Sequence, residues 1–185
     1  MKKVLLIAII FTVCTVFITV TSHQDIYGED NSVDAEKNLK SLGITLQPPR
    51  PFKANFVRSV RTGNLIFLSG HISIDEQGKL IMGKVGKDLD VDQGKEAARR
   101  CAIGLLASLK GAVGDLNNVQ RIVKVTGMVN ASEDFTGHST VINGCSDLLV
   151  EIFGKENGKH ARAAVGMSSL PLGVAVEIEM IVEVK

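Results

Sequence analysis

The sequence predicts an α+β fold: a sheet with two helices on one of its faces, the elements running in the order β-β-β-α-β-α-β-β. Three observations carry this. Ala98, Cys101, Ala102, Leu105, Leu109 and Ala112 recur at three- and four-residue intervals, as do Val141, Cys145, Leu148, Leu149 and Ile152, so each stretch has the apolar stripe of a helix. Around them stand short runs rich in Val, Ile and Leu, bounded by turn residues, as strands are. The last run, residues 174–184, puts Val174, Val176, Ile178, Met180, Val182 and Val184 on one side and Ala175, Glu177, Glu179, Ile181 and Glu183 on the other.

The chain opens with Lys2 and Lys3, then an uncharged apolar run over residues 4–20, after which Thr21, Ser22, His23, Gln24 and Asp25 change the polarity abruptly. A charged n-region followed by an apolar h-region is the pattern of an export signal. Residues 1–22 therefore read as a signal peptide, with cleavage near Ser22 and an exported product, periplasmic or secreted. The alternative is an uncleaved anchor, since the run lies at the lower edge of the roughly 17–25 residues that span a bilayer; membrane contact would then be through residues 4–20 alone. Residues 23–50 form a linker and a lead-in helix: 34–42 has helical character, Gly43 stops it, and Pro48, Pro49 and Pro51 force an extended segment. Residues 51–185 form the folded domain.

Within that domain, residues 57–60 and 65–69 flank Arg61, Thr62, Gly63 and Asn64 as a hairpin. Asp75, Glu76, Gln77 and Gly78 make a second turn that leads into a brief strand at 80–82. Asp90 and Gln93 have capping-box spacing ahead of the first long helix, and Gly114 with Asp115 ends it. A strand at 122–129 precedes the second long helix, which has Gly154 just past its end. Strands 163–168 and 174–184 read as a terminal pair turning around Pro171 and Gly173. In that arrangement Arg162 pairs near Met180, and a one-residue change of register decides whether Glu177 shares its face.

Composition narrows the chemistry. The 185 residues suit one domain, and 45% hydrophobic content with 22% charged residues excludes disorder. A net charge of +1 leaves no basic footprint for nucleic acid, and seven Phe, one Tyr and no Trp leave no stacking platform for single strands. His71, His138 and His160 are far apart without i, i+4 mates, so no metal site is predicted. Phosphate-cradling loops and nucleophile elbows are absent as well, and no cofactor is expected. Of three cysteines, Cys14 lies in the signal, while Cys101 and Cys145 fall on apolar helix stripes and read as buried thiols.

Two side chains stand out. Glu177 shares the polar side of the last strand with Glu179, Glu183 and Ile181. A solvent-facing sheet surface explains alternating Glu most simply, whereas Ile181 points to an oligomer interface that holds a pocket. Arg162 opens a run of small and apolar residues, where a guanidinium calls for an anionic partner. A strand-edge Arg in solvent or a structural ion pair is the equally weighted alternative.

Several segments together resemble the RidA (YjgF) family. They are Phe56-Val57; Arg61-Thr62-Gly63-Asn64-Leu65-Ile66-Phe67-Leu68-Ser69-Gly70; the helix at Asn143; and Ala161-Arg162-Ala163-Ala164-Val165 with Leu170-Pro171 and Val176-Glu177-Ile178-Glu179. The likeness runs from Asn55 to the C-terminal residue, and the lead-in around Leu42-Gly43-Ile44 is similar to the longer, endoribonuclease L-PSP or chorismate-mutase-like branch. The resemblance implies a chorismate-mutase-like fold and a homotrimer with pockets between subunits. It also implies cofactor-free hydrolysis of reactive enamines and 2-imino acids, such as 2-aminoacrylate, to keto acid and ammonia.

By the same match Arg162 clamps the substrate carboxylate and Glu177 orients water and moves protons. Ser69 and Gly70 then line the pocket, and Asn143 borders it. Phe56 stands where many active members have Tyr, and Ala164 where Cys is frequent. The alternative is a non-catalytic trimer that binds small carboxylates or a protein partner. Ribonuclease activity is the third reading, disfavoured by the near-neutral charge and the lack of paired His or a basic patch.

Overall fold

The computed structural model describes residues 33–49 and 55–185. The signal segment 1–22, the linker up to residue 32 and Pro51 lie outside the described residues. Helix α1 (Ala35–Ser41) is capped by Asp34, whose carboxylate accepts from Lys37 N at 3.0 Å, and Gly43 ends it with φ +69°. Its buried side, Ala35 and Leu39, belongs to the main core, and Asn38 Nδ2 donates to Ile152 O at 2.9 Å.

Strands β1 (Ser59–Thr62) and β2 (Leu65–Ile72) form the expected hairpin around Gly63 and Asn64. Helix α2 (Val91–Val113) starts with the capping box of Asp90 and Gln93 and ends at Gly114, whose φ of +78° only glycine adopts without strain. Strand β3 (Val119–Asn130) follows, then α3 (His138–Gly158). Gly154, with φ +75° and ψ 170°, breaks α3 where the sequence predicts its end, and one further turn carries the chain to Gly158. Strands β4 (Ala161–Met167) and β5 (Val176–Val184) complete a five-stranded sheet in the order β1-β2-β5-β3-β4.

Two expectations are corrected. The strand at 80–82 is not a member of the sheet: it makes only isolated bridges, Ile74 with Leu80 and Met82 with Val174. Gly83, at φ +119°, turns the chain away before a ladder can extend. The terminal strands are also not a pair. β5 inserts antiparallel between β2 and β3, while β4 runs parallel to β3 at the sheet edge. A parallel neighbour needs a crossover, which α3 supplies, and the single 3₁₀ turn at Pro171–Gly173 carries the chain on to β5 without closing a hairpin.

Helices α2 and α3 cover one face of the sheet, as predicted. Val176, Ile178, Met180, Val182 and Val184 are all buried there with Ala98, Cys101, Leu105, Cys145, Leu148 and Ile152, joined by Ala175, which the alternation put on the other side; Val174 is buried outside that cluster, bridged to Met82. Cys101 and Cys145 are free buried thiols. At Gly144 the helices approach so closely that a β-carbon would overlap the Lys95 carbonyl oxygen. The opposite face carries exposed Val60, Phe67 and Val165, in rows with Ile181 and Glu177 through the pairs Val60–Phe67–Ile181 and Val165–Met128–Glu177.

Candidate functional site

The sequence-predicted residues gather into two clusters. The first surrounds Arg162 on the edge strand β4. Arg162 is in register with Val125 of β3, and Val125 with Met180 of β5, so the guanidinium projects on the helix-covered side. There Nη1 donates to Asn143 Oδ1 at 2.8 Å and to Ser146 Oγ at 3.0 Å, and Nη2 to Ser139 O at 3.4 Å, all three from α3. Every acceptor is neutral, and no carboxylate among the described residues forms an ion pair with Arg162. Ser146 Oγ lies 3.0 Å from His160 Nε2, and His160 Nδ1 lies 2.7 Å from Gly158 O.

The second cluster surrounds Glu177 on the open face. The bulge in β2 between Leu68 and His71 brings Gly70 against the Glu177 carboxylate, where no β-carbon would fit. Burial pushes the Glu177 pKa up, helped by the negative charge of Glu179 on the same face. Ser69 Oγ donates to Val57 O at 2.7 Å, tying the bulge to the segment that carries Phe56, a residue 60% exposed. Behind the bulge, buried His71 lies 2.7 Å from both Ser69 O and Ser108 Oγ, and burial lowers its pKa.

Within one chain the clusters are apart. Arg162 and Glu177 lie on opposite faces of the sheet, about 10 Å apart along the strands and about 10 Å across them by strand geometry. This resolves the register question: Arg162 is level with Met180 but one strand removed from it, and it does not share the face of Glu177. Asn143 joins Arg162; Ser69 and Gly70 join Glu177. The sequence reading missed Ser139, Ser146 and His160. Ser146 follows Asn143 by one helical turn on the polar side of α3, a spacing that could have marked it. His160, two residues before Arg162, has a pKa lowered mainly by burial, against the Gly158 hydrogen bond, which raises it, and with a smaller lowering from the Arg162 charge.

Two open concavities exist elsewhere. One of about 780 Å³ lies beside α1, lined by Leu39, Ile44, Leu46 and Lys110 among others. The other, of about 350 Å³, is lined by Arg121, Lys159, His160 and their neighbours. Neither contains Arg162 or Glu177. Among the described residues no group of three or more His, Cys, Asp or Glu could hold a metal ion, and no helix is long and apolar enough to cross a membrane.

Residues 38–184 match the family model described as YjgF/chorismate mutase-like, with a provisional endoribonuclease label. Protein TCP17 of Trypanosoma cruzi is 42% identical over 146 residues, covering 79% of this chain and 91% of that protein. A RutC family protein of Pyrococcus abyssi is 32% identical over 143 residues, 77% of this chain and 95% of the other. A crystal structure of a protein of unknown function from Agrobacterium tumefaciens superposes with a TM-score of 0.74 at 41% identity, covering 82% of this chain and 94% of that one. The matched span takes in the second half of α1 as well as the sheet and both long helices. The chain belongs to the RidA (YjgF), chorismate mutase-like family.

Proposed function

We propose that the protein is a cofactor-free hydrolytic deaminase of small 2-imino acids and enamines, acting as a homotrimer in which Arg162 of one subunit and Glu177 of its neighbour share a pocket. The observation that carries this reading is the Arg162 guanidinium, oriented by three neutral acceptors and left with its charge uncompensated among the described residues. Such a cation suits a ligand carboxylate, which it takes through charge-assisted bonds. The separation of Arg162 and Glu177 in one chain favours a site completed by a second copy, and the partly apolar open face suits the contact.

In the reaction, Arg162 holds the carboxylate while water attacks the imine carbon. Glu177, its pKa raised by burial, takes a proton from the water as the C–O bond forms and passes it to the imine nitrogen; it then takes the hydroxyl proton of the carbinolamine as the carbonyl forms and delivers it to nitrogen as the C–N bond breaks, an enamine entering as its imine tautomer. The products are keto acid and ammonia, and no oxidant or cofactor is consumed. Ser69 and Gly70 form the wall beside Glu177, Asn143 fixes the guanidinium, and the Phe56 ring supplies an apolar surface.

The test mixes purified protein with 2-aminoacrylate generated in situ and follows pyruvate against the Arg162→Ala variant. Equal rates with and without protein would sink the reading. Light scattering after size exclusion tests the trimer, since a monomer leaves Arg162 without Glu177. Phe56, which lacks a hydroxyl, favours a second reading as a non-catalytic carboxylate-binding trimer; pyruvate binding lost in Arg162→Ala without turnover in the wild type selects it. Export through residues 1–22 is proposed alongside, and the mass of the protein recovered from its host decides between a cleaved and a retained segment.

A further inference from the structure

The geometry points to Ser146 and His160 as positioning residues for Arg162, linked in a one-way hydrogen-bond chain that fixes the guanidinium plane; the functional consequence rests on the carboxylate-clamp reading above. The direction follows from donor and acceptor chemistry. Gly158 O is a carbonyl and only accepts, so at 2.7 Å His160 Nδ1 carries the proton. In the neutral ring Nε2 is then an acceptor, and Ser146 Oγ at 3.0 Å donates to it. The Ser146 lone pairs are left to accept from Arg162 Nη1 at 3.0 Å, beside the 2.8 Å bond from the same nitrogen to Asn143. Each group has one role, and reversing any bond breaks the next.

The surroundings keep the ring neutral. His160 is partly buried, the Arg162 charge opposes its protonation, and Arg121 of β3 with Lys159 lines the same concavity. A neutral ring orients Arg162 without consuming its charge, unlike a carboxylate partner, which would compete with a ligand anion. His160 and Ser146 touch no substrate in this arrangement; they act only through Arg162.

The test uses the full chain with pyruvate as probe. Long-range ¹H–¹⁵N spectra should show His160 as the neutral Nδ1–H tautomer at pH 7. Ser146→Ala and His160→Phe should each weaken pyruvate binding about tenfold and raise KM for 2-aminoacrylate with little change in kcat, because the carboxylate is bound alike in ground and transition states. His160→Gln, which can present an acceptor near the Nε2 position, and Ser146→Thr should restore most of the loss. A merely structural role would lower stability and kcat together and would not be rescued by Gln. Wild-type affinity in Ser146→Ala, or an Nε2–H or cationic ring, overturns the assignment. Should the wild type bind no pyruvate and turn over no 2-aminoacrylate, the clamp reading fails by itself. Relaxation of the Arg162 Nε–H group then decides the positioning claim: greater mobility in Ser146→Ala upholds it, and unchanged order overturns it.

Discussion

Gly70 lies directly against the carboxylate of Glu177, so that the β2 bulge and the central strand leave no room for a single carbon between them. Gly70→Ala should therefore push the carboxylate aside while sparing the core, because the group that must yield is the far end of a flexible side chain. Pyruvate release from 2-aminoacrylate should fall by about a hundredfold, the loss that misplacing a catalytic group by roughly 1 Å can produce, with a melting temperature near that of the wild type. Retained activity would show that Glu177 needs no fixed position.

A different glycine sets the distance between the long helices. A β-carbon on Gly144 would overlap the Lys95 carbonyl oxygen, and backbone cannot swing away as a side chain can. Gly144→Ala should cost about 1–3 kcal/mol as an overpacked contact, read as a lower urea midpoint. A neutral result would mean that α2 and α3 separate freely.

Stability should also depend on pH through His71. Burial depresses its pKa in the folded state, while the unfolded ring titrates at about 6.5. Between the two values the unfolded chain binds more protons, so the contribution is whole above about pH 6.5 and is lost as pH falls toward the depressed value. His160, shifted in the same direction, adds to the effect. Urea midpoints should drop from pH 8 to pH 5.5, and His71→Gln should flatten the drop. A drop of the same size in His71→Gln as in the wild type would show that the His71 ring is not held neutral.

Cys101 and Cys145 should resist thiol reagents. Burial raises the Cys101 pKa well above the ordinary thiol range and that of Cys145 to about 12, so neither forms thiolate at neutral pH. Ellman's reagent should react with them only after denaturant is added, which native-state titration checks directly.

Much of this was legible in the sequence because it is local. The alternation in β5, the Asp90–Gln93 capping box and the break at Gly154 each depend on neighbours a few residues away. Strand adjacency does not. Nothing near Pro171 says that the chain continues to the middle of the sheet, so a sequential pair was the natural reading of β4 and β5, and the error put the Arg162–Glu177 relationship in doubt. Arg162 stands out in the sequence as a guanidinium in a run of small and apolar residues, whereas Asn143 was found by resemblance to a family motif. Ser146 and His160 were not, because their roles appear only when α3 folds back along β4.

The placement of β5 has a consequence for how the molecule comes into being. It is the last strand in chain order, yet it lies between β2 and β3, and its apolar side meets both long helices. Without those nine residues, the hairpin and the β3-α3-β4 unit share no ladder, because β2 and β3 are joined only through β5. Distant pairings of this kind close slowly, so the two halves become one sheet only when β5 pairs with both of them.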